Sequence, residues 1–222
     1  MKKLLVFVVV IFLAYLNLSA QIVGNAPYRI NSSKGFKFGL NSANLDFSYT
    51  TTWARSPLSG FFLSAFYAVE FNKYIAFQPE ICVSQKGTTW KSSDTNATSK
   101  WRLYYMEIPL LVKFTYPLNG GICPGAYIGP YGALLIGATE IYKENSNPEE
   151  TTNIYTDMNF FDYGLVIGGT LEYRFTAPFR GRIIFDVRYS WGFANADKSI
   201  EDTLPGEKAK NRVLTFMIGF GF

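Results

Sequence analysis

Charged residues recur at every second position in segments that are otherwise rich in large apolar residues. Glu172 and Arg174, like Asp186 and Arg188, would share one face of an extended strand, since side chains two residues apart in a strand point the same way. Charges on one face could line a narrow pore or form a carboxylate pair, or they could neutralise one another in a packed interior. The full set is Glu70, Glu80, Glu107, Lys113, Glu172, Arg174, Arg182, Asp186 and Arg188.

The residue types needed for several common active sites are missing from this sequence. The chain contains no histidine, which excludes a Ser–His–acid site. With two well-separated cysteines, Cys82 and Cys123, a transition-metal site is not expected. There is no GxxxxGK[ST] phosphate loop either. We therefore expect no catalytic residues, no cofactor and no metal, and no disulfide between the two cysteines.

The overall charge gives no indication of a nucleic-acid partner. The chain has 21 Lys and Arg against 17 Asp and Glu, a formal net charge of +4. Nucleic-acid binding requires a clustered basic patch, and the sequence shows none.

The first twenty residues have the features of a secretory signal peptide. Lys2 and Lys3 precede the apolar run 4–16, and small residues follow up to Ala20. The run is short for a membrane-spanning helix. The expected signal peptide therefore spans residues 1–20.

The remaining sequence is aromatic and alternating, which is typical of β-strands. Of the residues of the chain, 18% are aromatic, with 20 Phe and 15 Tyr. Large apolar side chains alternate with polar, charged or small ones in short segments. Eight strands are predicted, at residues 35–49, 60–71, 74–86, 102–115, 125–138, 160–175, 181–191 and 213–222. In the fifth strand both faces are apolar or small, so its inward face stays undecided.

One-sided alternation fits both a soluble lipid-binding barrel and a membrane barrel. The polar faces combine charges with many glycines, which suits a narrow lumen better than a solvated surface. The apolar faces carry five to seven large residues per strand, about the length that crosses a bilayer at a tilt. The predicted connections after odd-numbered strands are also longer than those after even-numbered strands. These features favour an all-β, eight-stranded, antiparallel, up-and-down transmembrane barrel with short periplasmic turns and long extracellular loops. The barrel domain would span residues 35–222, after an N-terminal periplasmic segment over residues 21–34.

Aromatic residues concentrate near both ends of the predicted strands, as in the girdles of membrane barrels. The residues assigned to the loop-side girdle are Trp53, Trp90, Trp101 and Trp191. Those assigned to the turn-side girdle are Phe71, Tyr74, Phe114, Tyr116, Tyr127, Tyr173, Phe175 and Phe179.

The last predicted strand, VLTFMIGFGF, alternates without interruption up to Phe222. In a closed barrel it would pair with both its neighbours and form the closing strand beside the first. Phe220 and Phe222 resemble the carboxyl-terminal aromatic signal that outer-membrane assembly machinery recognises.

Four segments together resemble the PorT-like family of outer-membrane β-barrel proteins. They are GFKFGLNSANL from Gly35, YMEIPLLVKF from Tyr105, YIGPYGALLIG from Tyr127 and FDVRYSWGFANA from Phe185. The resemblance covers essentially all of the chain after the predicted signal peptide. It implies an outer-membrane location and a role in protein secretion across that membrane, and it supplies no catalytic residue.

The sequence thus predicts a non-enzymatic barrel in the outer membrane of a Gram-negative bacterium, with a structural, assembly or secretion-accessory role. Its expected partners are outer-membrane lipid, lipopolysaccharide, the assembly machinery and secretion-system components. Because an eight-stranded lumen has room only for side chains, the nine charges are expected to fill it. A small passive channel, or surface binding by the predicted loops 139–159 and 192–211, is the alternative.

Overall fold

The computed structural model describes residues 31–48, 54–92, 97–144, 148–175, 180–198 and 207–222. The predicted signal peptide, most of the predicted segment 21–34, Trp53 and Phe179 lie outside these residues. Within them, no helix has the length and apolar character needed to span a bilayer. The strands are β1 (Asn31–Phe47), β2 (Ala54–Glu70), β3 (Ile75–Lys91), β4 (Ala97–Thr115), β5 (Ile122–Glu144), β6 (Glu150–Asn153), β7 (Phe161–Phe175), β8 (Gly181–Gly192) and β9 (Ala209–Gly221), with 3₁₀ turns at Asn119–Gly121 and Tyr155–Asp157.

Eight of the described strands form a closed antiparallel ring, as predicted. The order around the ring is β1, β2, β3, β4, β5, β7, β8 and β9, and β9 returns to β1. The short β6 lies outside the ring and pairs only with Thr139–Tyr142 of β5. Closure leaves no unpaired sheet edge among the eight strands, which a bilayer requires.

The structure resolves the inward face of the fifth strand. Tyr127, Tyr131 and Leu135 of β5 point inward and are buried, whereas Ile128 and Ile136 point outward. An irregularity in the pairing opposite Tyr104 and Tyr105 of β4 then shifts the alternation, so that Ala138 also points inward. Both faces of this strand look alike in sequence because one faces lipid and the other faces an aromatic interior.

The strands extend beyond the predicted bounds, chiefly at the end where the chain is predicted to form loops. We call this end of the barrel the loop side, and the end that holds both chain termini of the ring the turn side. On the loop side β3 continues to Lys91 and β4 begins at Ala97, so residues 92–96 make the connection. The two long loop-side connections are residues 145–160 and 193–208. The extensions lack apolar alternation, yet their backbones are paired. Between β3 and β4 the pairing continues from Lys86 opposite Leu103 to Lys91 opposite Thr98.

At the turn side, β1 begins at Asn31, four residues before the predicted start. Asn31–Lys34 pair with Tyr67–Glu70 of β2. These residues are polar on both faces, so the hydrophobic pattern gives no sign that they belong to a strand. The connections at this end are residues 71–74, 116–121 and 176–180.

The outward face of the ring is a belt of exposed apolar side chains. On β4 the exposed residues are Ile108, Leu110, Val112 and Phe114, and the half-buried Tyr104 and Met106 continue the same outward row. Similar rows lie on β1, β7, β8 and β9. Soluble proteins rarely expose a continuous apolar surface of this size. The arrangement is that of a protein whose outer surface is covered by lipid.

Of the eight residues predicted for the turn-side aromatic girdle, five are exposed, Phe175 is half-buried and Phe179 lies outside the described residues. Phe71, Tyr74, Phe114, Tyr116 and Tyr173 are exposed there. The assignment of Tyr127 to this girdle is wrong, because its side chain points into the barrel and is 2% exposed.

The loop-side girdle needs a larger correction. Trp90 is 9% exposed and belongs to an apolar cluster inside the barrel, and Trp101 packs against that cluster. Among the described tryptophans, Trp191 alone has the predicted outward exposure. Whether a tryptophan points into or out of the barrel depends on its position in the in–out alternation of the strand, and not on its distance from the strand end.

Candidate functional site

The structure places all nine predicted charges on the inner face of the barrel. Glu80, Glu107, Lys113, Glu172, Arg182, Asp186 and Arg188 are buried. Glu70 and Arg174 are half-buried at the turn side. Within the described strands they form three clusters stacked along the barrel.

The turn-side cluster is centred on Glu172 of β7. Its carboxylate accepts hydrogen bonds from Lys113 of β4, from Arg174 at 3.1 Å and from Arg182 of β8 at 3.3 Å. Arg182 also lies 3.3 Å from Glu70 of β2. One buried carboxylate therefore faces three cations, and the second carboxylate offsets part of the excess positive charge.

The central cluster joins opposite walls of the barrel. Arg188 of β8 and Lys37 of β1 each donate to Glu80 of β3 at 2.7 Å. Lys37 also donates to Asp186 at 2.7 Å, and the Tyr127 hydroxyl donates to the same carboxylate. In the ring order three strands separate β3 from β8 in either direction. The Arg188–Glu80 contact therefore crosses the lumen.

The loop-side cluster is built around Lys86 of β3. Its ammonium lies 3.0 Å from Glu107 of β4 and 3.4 Å from Asp162 of β7. Asp162 also accepts hydrogen bonds from the Tyr131 hydroxyl at 3.0 Å and from the Asn211 amide at 2.9 Å. Both carboxylates are buried next to the Lys86 ammonium, although the Glu107 Oε1 and Asp162 Oδ1 atoms accept no hydrogen bond.

Three members of these clusters, Lys37, Lys86 and Asp162, are absent from the predicted set. The alternation places each of them on the polar face of its strand, so the signal that could have found them is present in the sequence. With them, the clusters contain six cations and six carboxylates. The cations are Lys37, Lys86, Lys113, Arg174, Arg182 and Arg188, and the carboxylates are Glu70, Glu80, Glu107, Asp162, Glu172 and Asp186.

Aromatic rings fill much of the space between the ion pairs. The Lys37 ammonium lies 5.6 Å from the ring centre of Phe66, and the Arg188 guanidinium lies 5.3 Å from that of Phe62. Contacts of this kind stabilise a buried cation further. Both phenylalanines point inward from β2, opposite to the lipid-facing Phe61.

The loop-side mouth of the barrel is occupied by an apolar cluster, which we call the cap. Leu45, Phe47, Trp90 and Leu103 contribute from the strands. Ile154, Met158 and Ala196 contribute from the two long connections. A hydrogen bond joins the two connections, since the backbone N–H of Asn159 donates to the Ala196 carbonyl at 3.0 Å.

The two cysteines are buried free thiols. Cys82 lies mid-strand on β3, as predicted, but Cys123 lies within β5 and not in a turn. Its burial reflects the early start of β5 at Ile122. In the part of the chain that the structure describes, no group of three or more Cys, Asp or Glu side chains is arranged to hold a metal ion.

The sequence matches the family model described as outer membrane protein beta-barrel domain over residues 19–198. The chain belongs to this family. It is an outer-membrane β-barrel protein, and the predicted location in the outer membrane of Gram-negative bacteria is confirmed. Among curated proteins, none matches the chain.

Several solved outer-membrane proteins are similar to this barrel at low sequence identity. OprG from Pseudomonas aeruginosa has 14% identity and a TM-score of 0.49, covering 86% of this chain and 95% of its own. Neisserial surface protein A has 12% identity and a TM-score of 0.46, with coverage of 86% and 95%. Ail from Yersinia pestis has 13% identity and a TM-score of 0.43, with coverage of 86% and 99%.

The closing strand of the outer-membrane barrel, β9, ends at Gly221, and Phe222 continues its backbone pairing with β1. β9 pairs with β1 and with β8, as predicted. The Lys34 amide donates to the Phe222 carbonyl at 3.0 Å, and the Phe222 amide donates to the Lys34 carbonyl at 2.8 Å. The Phe222 ring is 55% exposed and lies 5.3 Å from the Lys34 ammonium. Phe222 therefore belongs to the seam between the first and last strands.

Proposed function

We propose that this protein is a closed outer-membrane barrel that acts as a structural, assembly or secretion-accessory component, without catalytic activity and without a conducting pore. The observation that carries the proposal is the Arg188–Glu80 contact across the lumen at 2.7 Å. A side chain that spans from one wall to the other leaves no straight aqueous path at that level.

The other levels of the interior support the same conclusion. The turn-side and loop-side clusters contain ion pairs between non-adjacent strands, such as Lys113–Glu172 and Lys86–Asp162. The cavity lined by Lys113, Glu172 and Arg182 has a volume of about 10 Å³, about the space of a single water molecule. Above these clusters the cap covers the mouth with apolar side chains. An ion would have to displace paired charges and then cross an apolar layer.

The absence of catalysis is proposed from chemistry. With no histidine in the sequence, proton transfer near neutral pH would depend on carboxylates or lysines with strongly altered acidity. The buried carboxylates of the three clusters already accept hydrogen bonds or ion pairs from lysine, arginine or tyrosine. They have the arrangement of a packed interior and not of a substrate pocket.

We assign the loop side to the cell exterior and the turn side to the periplasm. The two long connections, residues 145–160 and 193–208, both lie on the loop side, and outer-membrane barrels place long connections outside the cell. An epitope inserted between residues 202 and 203 is expected to be accessible to antibody on intact cells. Detection only after the outer membrane is opened would reverse the orientation.

The proposed secretion role rests on the resemblance to the PorT-like family. The proposed recognition by the assembly machinery rests on the position of Phe222 between the first and last strands. The resemblance supports secretion-system components as partners, and the exposed Phe222 with Phe220 supports recognition by the assembly machinery during insertion. Gentle solubilisation of outer membranes followed by co-purification tests the first role. Recovery of the barrel without secretion components under conditions that preserve other membrane complexes would contradict it.

The closed lumen is tested by osmotic swelling of proteoliposomes. Liposomes that contain the pure folded barrel are expected to swell in small sugars no faster than protein-free liposomes. A known porin at the same protein-to-lipid ratio provides the positive control. Swelling that increases with the amount of this protein would contradict the proposal.

A further inference from the structure

Four cations gather on the outward face of three neighbouring strands on the loop side. They are Lys91 of β3, Lys100 and Arg102 of β4, and Lys143 of β5. In the pairing register Thr98 lies opposite both Lys91 and Lys143. Lys100 and Arg102 follow on the same face of β4, with about 7 Å between successive same-face positions. We call this group the cationic patch.

The cationic patch lies directly above the apolar belt. On β4 the outward residues from Phe114 to Tyr104 are apolar or aromatic, and the next two outward residues are Arg102 and Lys100. The eleven residues 104–114 match the length of a strand that crosses the hydrocarbon core at a tilt. Arg102 and Lys100 therefore lie at the level of the lipid headgroups, in the outer leaflet under the proposed orientation.

The protein itself provides little compensation for these charges. Among the described residues, Lys91, Lys100 and Arg102 form no ion pair, and the Nε of Arg102 is buried without a hydrogen-bond partner. Lys143 has only an exposed contact of 3.9 Å with Glu149. On another part of the ring, by contrast, Arg212 pairs with Asp46 at 3.3 Å. Lys210, also on the outward face of β9, lies opposite the same Asp46, so the cations there have a neighbouring carboxylate that Lys91, Lys100 and Arg102 lack among the described residues.

We propose that the cationic patch binds the phosphate groups of lipopolysaccharide, through the lipid A portion of an outer-leaflet molecule. Lipid A places acyl chains beside the apolar belt and phosphates at the height of Arg102 and Lys100. The guanidinium of Arg102 can donate two hydrogen bonds to one phosphate, while Lys100, Lys91 and Lys143 supply further positive charge. The site is on the outside of the barrel and is independent of whether the lumen conducts.

Binding of lipid A to the folded barrel in a neutral detergent tests this proposal. Titrations compare bisphosphorylated lipid A with the same lipid after its phosphates are removed. The Lys100→Ala/Arg102→Ala variant loses two patch cations. The Lys208→Ala/Lys210→Ala variant is the matched control, because it loses two loop-side cations outside the patch. The difference in electrophoretic mobility between unheated and boiled samples verifies that each variant is folded.

The phosphorylated lipid is expected to bind more tightly than the dephosphorylated lipid, and the difference should shrink at high salt. The patch variant should bind the phosphorylated lipid roughly tenfold to thirtyfold more weakly, whereas the control variant should retain the native affinity. Equal affinity for both lipids, or equal loss in both variants, would overturn the proposal. Equally tight binding of phosphatidylglycerol would overturn the assignment to lipid A. Because the assay uses detergent, its failure would leave the closed lumen and the orientation untouched.

Discussion

Arg188 and Glu80 form a 2.7 Å ion pair although their strands, β8 and β3, lie on opposite sides of the ring. The pair is possible because an eight-stranded ring is narrow enough for one long side chain to reach across it. Both side chains are almost fully buried, with exposures of 2% and 0%. The contact ties the two walls together and closes the middle of the lumen.

Removing Arg188 should destabilise the barrel strongly. Arg188→Ala leaves Glu80 with a buried charge that Lys37 only partly compensates, and we expect a loss of about 3 kcal/mol in the free energy of unfolding. Urea unfolding in lipid vesicles measures it. Glu149→Ala is the control, because its partner Lys143 is 3.9 Å away and both side chains are about half exposed, so its effect should stay below about 1 kcal/mol. Equal losses for the two variants would contradict the cross-lumen account.

Neutralising Glu172 should cost more stability than neutralising Glu70. Glu172 is buried and faces Lys113, Arg174 and Arg182, so Glu172→Gln leaves three cations with one fewer carboxylate among them. Glu70 is 22% exposed at its side chain and its one ion pair among the described residues is with Arg182, so water can replace much of its contribution. The unfolding free energies of the two variants are compared under the same conditions. A larger loss for Glu70→Gln would show that the turn-side cluster is not centred on Glu172.

The position of Tyr127 is tested by two glycine substitutions within the strands. In Gly168→Ala the added methyl group would lie 2.3 Å from the Tyr127 ring and push its hydroxyl away from Asp186. We expect a loss of about 1–3 kcal/mol in the free energy of unfolding. In Gly132→Ala the added methyl group would have nothing within 4 Å on the lipid-facing side of β5, so this variant should be nearly neutral. A neutral Gly168→Ala would mean that Tyr127 does not occupy the central cluster.

Deleting Gly221 and Phe222 should impair insertion more than trimming an outer loop. The deletion removes both backbone hydrogen bonds between Phe222 and Lys34 together with the proposed assembly signal. The amount of heat-modifiable barrel in outer membranes is the measurement, and deletion of residues 201–204 is the control. Phe222→Ala keeps the backbone bonds, so a defect in this variant would isolate the aromatic signal. Normal assembly of the 221–222 deletion would contradict the prediction.

The ring and most of the interior could be predicted because strand alternation decides which side chains point inward. All nine predicted charges lie on the inner face in the structure, and the same rule applied to every polar position would also have included Lys37, Lys86 and Asp162. It fails where both faces are similar, as in β5, where lipid and an aromatic interior select the same residue types. The alternation rule also misses the strand extensions beyond the belt. Neither face of an extension contacts lipid, so its sequence needs no alternation of apolar and polar residues.

The cap could not be predicted from the pattern of single strands. Trp90 and Trp101 resemble girdle residues when judged by their distance from a strand end. Their rings point inward, where Trp90 is buried in the apolar cluster that includes Ile154, Met158 and Ala196, and Trp101 packs against that cluster. Ile154, Met158 and Ala196 come from two connections that are distant in the sequence. Such contacts depend on how the loops fold over the mouth, which the local sequence does not reveal.

Single-channel recording in planar bilayers tests the central claim most directly. The pure folded barrel is expected to insert without producing stable conductance steps in salt solution, whereas a porin added to the same bilayer should produce them. Insertion is verified separately by protease protection of the reconstituted barrel. Reproducible openings from the native protein, with ion selectivity that changes in Glu107→Ala or Arg188→Ala, would contradict the closed lumen and establish a channel.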